Sequence, residues 1–260
     1  MINKFEMWSL FHYLMIIFPF VLAMGLYYLF RNKSKHTQQL VSVILSTVMV
    51  TVFIMRAIHV TNKYGGINPE VFPFQICHFA NFIFLFAALS KRKIWGSIGW
   101  VLNFPAGLVS VIFADGLVNY PTLIEVQAFA YVVGHMLIVT TGLYMLLIRQ
   151  IEINHQTLKQ TIGFVGVMFV SSVIINNVFN VWFKEVGVAS NYFYSLTPEK
   201  GTPLEWMFNF GKNVTVLNMT FNPIYLILLA IVGLVVMLFM YGLYQLRSIL
   251  YTNINNNENN

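Results

Sequence analysis

The sequence predicts an all-α membrane protein of seven transmembrane helices, with its N-terminus outside and its C-terminus in the cytoplasm. Three observations carry that prediction. Of 260 residues, 58% are hydrophobic and only 9% charged, with a mean hydropathy of +0.70. A soluble domain carries roughly 25% charged residues, so this composition excludes an ordinary soluble enzyme, a disordered chain and a fibrous repeat. Seven apolar stretches, at about 11–30, 38–61, 69–90, 94–114, 121–148, 161–183 and 222–246, each have the length a helix needs to cross hydrocarbon. The length leaves room for one membrane domain, 1–250, and a polar tail at 251–260 reads as disordered.

The first stretch follows MINKFEMWSL, which is polar-aromatic rather than basic, so it reads as a spanning helix and not as a cleaved signal peptide. The second ends in a polar segment holding Arg56 and His59, and Gly65-Gly66 turns the chain into the third. Asn68, Pro69 and Glu70 give the third a start signal as N-cap, first helical residue and first-turn acid. Pro105 lies inside the fourth and predicts a kink that frees a backbone carbonyl. The fifth opens with Tyr120-Pro121-Thr122. A connection at about 184–221, the longest of the chain, separates the sixth from the seventh.

Basic residues set the orientation. Arg31/Lys33/Lys35 and Lys91/Arg92/Lys93 cluster at the ends of apolar runs. With Arg149, Lys159 and Arg247 they put nine basic groups on one side, against five (Lys4, Lys63, Lys184, Lys200, Lys212) on the other. The richer side is expected to be cytoplasmic. The net charge of +6 therefore reads as attraction to anionic lipid in a cell membrane, with membrane lipids as partners and no nucleic acid. Nothing in the sequence sets an oligomeric state. Cys77 is the one cysteine, which excludes an intrachain disulfide and a cysteine metal cluster. No metal or other cofactor is expected, since the histidines show no ligand spacing on one helix. A retinal Schiff base is excluded by the lack of lysine in 222–246, and no Gly-x-Ser-x-Gly, Walker or His-Glu-x-x-His motif is present.

Polar residues inside spans are costly, so their positions are informative. Arg56, His59, Gln75, Cys77, His78, Asn81, Asn103, Gln127, His135, Asn176, Asn177 and Asn180 gather in the outer halves of the spans, which predicts a polar chamber open to the outer side. Gln75, Cys77, His78 and Asn81 share one broad helix face. Gln127, Tyr131 and His135 form an i, i+4, i+8 stripe, as do Ser172, Asn176 and Asn180. With helices starting at Asn68 and Pro121, Cys77 lies ~13 Å and His135 ~21 Å along the respective axes, a difference tilt can absorb. Each residue also has a plain structural reading. Cys77 fits as a small core residue, His59 and His78 as hydrogen-bonded helix contacts, and Arg56 as a snorkelling cation. The asparagine stripe fits as interhelical glue. His135, near mid-membrane, is the hardest to explain that way.

Phe72-Pro73-Phe74-Gln75-Ile76-Cys77 resembles the aromatic/Leu-Pro-x-x-x-Cys segment of the YwaF-like family of bacterial integral membrane proteins. Trp95-Gly96, Gly99, Ala114-Asp115, Asn119-Tyr120-Pro121, Val126-Gln127 and Gly134-His135 follow in that family's order. So do Asn191-Tyr192 with Pro198, and Asn222-Pro223-Ile224-Tyr225. The chain departs from the pattern at Ala114, where the family has proline, and lacks the Trp-rich opening of the last span. The family is similar in turn to the eukaryotic transmembrane protein 164 group of phospholipid acyltransferases. The resemblance implies transfer of fatty acyl chains between glycerophospholipids, with Cys77 as nucleophile and His135 as its partner. Arg56, His59, Gln75, His78, Asn81, Gln127 and Asn177 are then the expected substrate-binding residues. Composition and spacing alone fit a competing expectation equally well, a binding or transport protein whose chamber holds a small solute.

Overall fold

A computed structural model describes residues 4–199 and 201–258, with side chains through Arg247. Lys200, counted above on the outer side, and 259–260 of the tail lie outside the described residues. Among the described residues, seven helical segments are long and apolar enough to cross a membrane: Leu10–Phe30, Lys35–Lys63, Pro69–Leu89, Lys93–Ile112, Val126–Leu147, His155–Trp182 and Pro223–Arg247. They correspond one to one with the apolar stretches of the sequence.

The first two spans are the uninterrupted helices α1 (Leu10–Phe30) and α2 (Lys35–Lys63), capped by Ser9 and Ser34, whose side chains accept from the His12 and Thr37 N–H groups. The third departs from expectation. Asn68 caps only a single 3₁₀ turn, Pro69–Val71, and α3 begins at Ile76 and ends at Leu89. Pro73 is the reason: it holds Phe72 extended (φ −83°, ψ 142°), so no α-turn can pass through it. Cys77 therefore sits in the first turn of α3, not two turns down a helix begun at Asn68.

The fourth span is α4 (Lys93–Ile98), a π-helical turn Gly99–Asn103, and α5 (Phe104–Ile112). Pro105 cannot donate to the carbonyl four residues back. The ladder shifts instead to i→i+5 bonds, the Phe104 N–H bonding the Gly99 carbonyl, so a change of register replaces the expected open kink. Helix α6 (Val126–Leu147) starts five residues later than its Pro121 signal, with Glu125 at the N-cap. The expected depths of Cys77 and His135 are corrected accordingly: His135 lies about 13.5 Å into α6, while Cys77 lies at the mouth of α3. Helix α7 (His155–Trp182) is capped by Asn154. A short helix α8 (Pro203–Phe208) and a hairpin of β1 (Val214–Val216) with β2 (Met219–Phe221) occupy the long connection. Helix α9 (Pro223–Glu258) carries the last span, and its backbone stays helical to Glu258, across most of the segment read as a tail.

Helix α6 is the hub, packed by α1, α2 and α5, while α3 lies between α2 and the fourth span. Helices α7 and α9 pack on the outside of α4 and the π turn. The core holds Phe84, Ile83, Ile98, Ile138, Val139 and Met145, each nearly or fully inaccessible. In lipid such helices associate through close packing and polar ties, since the tails are as apolar as the side chains. Thr161 donates to Ser97 Oγ (2.8 Å) and the Trp100 indole N–H to the Met240 carbonyl (3.0 Å), tying α7 and α9 to the fourth span. Outward, Val170, Val181, Ile227, Val235 and Phe239 are exposed along α7 and α9, the surface of a protein whose solvent there is hydrocarbon.

Gly107 shows how tight the hub is. A Cβ there would stand 2.5 Å from Ile138 Cγ2, so α5 approaches α6 as only glycine permits. Gly107→Ala is expected to cost about 1–3 kcal/mol, read as a lower melting temperature in the same detergent. A variant that melts with the parent would show the contact to be slack.

Candidate functional site

A cavity of about 310 Å³ opens where the end of α2, the first turn of α3, the upper half of α6 and the loop after α7 converge. Seven of the nine expected site residues line it: Cys77, His135, Arg56, Gln75, His78, Asn81 and Gln127. The shared face of α3 and the Gln127/Tyr131/His135 stripe thus point into one space. His59 and Asn177 do not line it. His59 is half-buried one turn beyond Arg56, near the end of α2. Asn177 bonds Thr220 through both amide atoms (2.9 and 3.3 Å) and so holds the β-hairpin to α7.

Cys77 lies beside two backbone N–H donors, its own and that of His78. No side chain caps α3. The first N–H groups of a helix have no intrahelical partner and carry its positive end, and Cys77 is the second residue of this helix.

His135 is 7% exposed, and its Nδ1 lies 2.7 Å from the Tyr131 carbonyl oxygen. A carbonyl can only accept, so Nδ1 carries the hydrogen and the neutral ring presents Nε2 as an acceptor. The ring also packs on that of Tyr131, centroids 4.2 Å apart, and Tyr131 is itself anchored by donating to the Ser110 carbonyl at 2.8 Å. His78 packs against Phe53, and its Nδ1 is buried without a protein hydrogen-bond partner.

Arg56 does not snorkel. Its guanidinium bonds Glu70 twice, to the carboxylate at 2.6 Å and to the backbone carbonyl at 3.0 Å. Arg56 also lines the cavity that holds Cys77, His78 and His135. Gln127 accepts from Lys63 at 2.7 Å, leaving its amide N–H₂ for the cavity, and the Asn81 amide donates to the His78 carbonyl at 3.0 Å.

The loop after α7 roofs the cavity with Ala189, Ser190, Asn191, Tyr192 and Tyr194. Its holders are the asparagine stripe expected to glue helices. Asn176, fully buried, accepts from the Ser190 hydroxyl and the Tyr192 N–H and donates to the Tyr192 carbonyl and the Ser195 hydroxyl, all within 2.7–3.0 Å. Asn180 pairs with both backbone groups of Ser190. Tyr192 donates to the Pro69 carbonyl and Tyr225 to the Tyr194 carbonyl. Burial pushes the Tyr192 phenol up to about 12, so it stays a neutral donor. Phe193 and Tyr194 are held left-handed (φ 58° and 53°), a strain that persists only where surrounding bonds over-determine it.

Sequence reasoning missed Glu70, Ser110, Tyr120 and the roof residues. Glu70 registered only as a helix-start signal. Asn191-Tyr192 was visible as a paired motif, but no periodicity assigns a loop to a cavity. Among the described residues no three His, Cys, Asp or Glu side chains converge as metal ligands.

Seven spans, the second to fifth of which line a cavity holding one thiol and two imidazoles, define a multi-pass α-helical membrane protein with an internal cavity. The sequence profile of the TMEM164 family matches residues 7–241, and the chain belongs to that family. No curated protein and no solved structure matches it.

Proposed function

We propose that the protein is a cysteine-dependent acyltransferase that moves fatty acyl chains between glycerophospholipids in the cell membrane, its cavity opening on the outer side. The observation that carries this reading is that Cys77 and His135 line one cavity, the thiol at a helix N-terminus and the imidazole with Nε2 free to accept. Family membership supports it.

The steps follow from these groups. Nε2 of His135 takes the Cys77 proton, and the thiolate attacks the ester carbonyl carbon of the donor lipid. The oxyanion that forms is met by the first-turn N–H groups of α3, with the amides of Gln127, Gln75 and Asn81 as further donors. Collapse breaks the ester C–O bond. The imidazolium returns its proton to the leaving alkoxide, releasing a lysophospholipid and leaving a thioester on Cys77. A second lysophospholipid hydroxyl gives its proton to His135 and attacks the thioester, forming the new ester and restoring the thiol. Arg56, held in place by Glu70, presents its remaining N–H donors to a lipid phosphate. His78 Nδ1 offers one more polar contact to the glycerol or headgroup. At about 310 Å³ the cavity suits the reacting ester and its neighbours, with the acyl chains left in the bilayer.

The test is to trap the intermediate. Protein incubated with phospholipid carrying a labelled acyl chain, then quenched in acid, is expected to hold hydroxylamine-labile label on the peptide containing Cys77. Exchange without label on that peptide would sink the mechanism.

The cavity's size and mixed lining favour one other reading, a chamber for a small polar solute. That reading expects solute-dependent stabilisation that Cys77→Ala leaves intact and Arg56→Met removes.

A further inference from the structure

At the opposite end of the bundle from Cys77 lies a second cavity, of about 390 Å³, which the chemistry above does not use. It forms where the first turn of α2, the end of α3, the start of α4 and the loop after α6 meet. Lys35, Lys91, Arg92, Lys93 and Arg149 line it, and among the described residues the one acid there is Glu152, which holds Lys93 at 2.6 Å. Its frame is made of neutral amides already spent on helix ends. Gln39 donates to the Ala88 carbonyl (2.7 Å), Gln150 to that of Ala87 (3.3 Å), and Gln38 to those of Phe30, Arg31 and Lys33. The carbonyls that close α1 and α3 are therefore satisfied by amides, while at the end of α6 Lys35 donates to the Ile148 carbonyl and to Gln38 Oε1, both at 3.2 Å.

Arg149 adds an independent observation. It follows the end of α6 with φ 63°, the N–H groups of Arg149 and Gln150 closing back on the Leu146 and Met145 carbonyls at 3.1 and 2.9 Å. This left-handed position after a helix is normally glycine's. Gly65 fills it after α2, where Gly65 and Gly66 make the same pair of bonds to Asn62 and Thr61. A left-handed backbone kept under an arginine points to a role for the side chain, and Arg149 is among the residues that line the cavity.

We infer that this second cavity is a phosphate-binding site, taking the phosphate of a lipid headgroup or a free phosphate ion. Ammonium groups and guanidinium forks converging in a concave site are what a phosphate's charge and oxygens require. The cavity lies at the level of the helix ends, on the side rich in lysine and arginine, where a headgroup layer would meet it. The site is independent of acyl transfer and is tested without it.

Full-length protein in phosphatidylcholine nanodiscs is titrated with inorganic phosphate at constant ionic strength. In a second arm, nanodiscs containing phosphatidic acid are compared with phosphatidylcholine alone. Melting temperature and bound phosphate or phosphatidic acid are read in each. Lys91→Gln and Arg92→Gln are each expected to weaken binding about fivefold. Arg149→Gly is expected to weaken it similarly while raising the melting temperature without phosphate, because glycine relieves the left-handed position. Lys159→Gln, an exposed α7 residue outside the cavity, is expected to leave binding unchanged. Binding of free phosphate assigns a soluble ligand, and a response to phosphatidic acid alone assigns a headgroup. Either supports the site. Binding in neither arm, or an equal loss in Lys159→Gln and Lys91→Gln, overturns it, the latter because attraction would then be spread over the whole basic end.

Discussion

Replacing Cys77 by serine is expected to abolish acyl exchange by the purified protein in liposomes, a fall at least on the order of a thousandfold. Serine keeps the shape of the side chain and can take the same backbone donors, so insertion and melting should match the parent. What it lacks is an acid weak enough to hold its proton at rest yet strong enough to yield it to an imidazole. His135→Ala is expected to lower exchange by about a hundred- to ten-thousandfold, the usual contribution of a general base. It leaves the sulfur in place, so added thiol reagents should still modify Cys77, more slowly than in the parent. Tyr131→Phe separates position from proton transfer: it breaks the bond to the Ser110 carbonyl while leaving the Tyr131 carbonyl that orients His135. Exchange at the parent rate in both Cys77→Ser and His135→Ala would end the enzymatic reading and favour the solute chamber.

The second large effect is expected at Asn176. Its amide makes four bonds to the roof from a fully buried position. Asn176→Ala strands the Tyr192 N–H away from water, at about 1–3 kcal/mol, while the Tyr192 carbonyl keeps the Ser195 N–H. The roof is expected to come loose before the spans do. The readout is protease cleavage within 188–198 in intact proteoliposomes, rising sharply in the variant while the helical signal persists. Asn180→Ala removes two bonds from a half-buried site and is expected to fall between parent and Asn176→Ala. Equal protection in all three would show that the tyrosines, through Pro69 and Tyr225, suffice to hold the roof.

The spans were legible because membrane helices are written in composition: each apolar stretch became a helix at nearly the expected residues. Faces were legible too, since a 3.6-residue period brought Cys77, His78 and Asn81 to the same cavity as Gln127 and His135, with Gln75 reaching it from the extended residue before α3. Starts were not. Asn68-Pro69-Glu70 is a sound N-terminal signal, and the chain does turn helical there, but Pro73 stops it after one turn and moves Cys77 to the head of the next helix. Partners of polar residues were least visible. Arg56 finds Glu70, and Asn176 finds a loop, because tertiary folding brings together residues that no local pattern relates. His59 and Asn177 were chosen for polarity and depth, which say nothing of the direction a side chain faces.

The share of each span sheltered by protein is uneven. Val126–Leu147 has 56% of its most apolar window buried, His155–Trp182 only 17% and Pro223–Arg247 only 11%. For these spans, and for Leu10–Phe30 at 17%, the bilayer supplies most of what a core supplies elsewhere. A measured stability is then a property of protein and lipid together, and a micelle, a thin bilayer and a thick one are three different environments for one chain. Helix α7 also carries Asn176 and Asn180, so any tilt it adopts to match hydrocarbon thickness is transmitted directly to the loop over Cys77. Membrane thickness thereby becomes a mechanical input to the site.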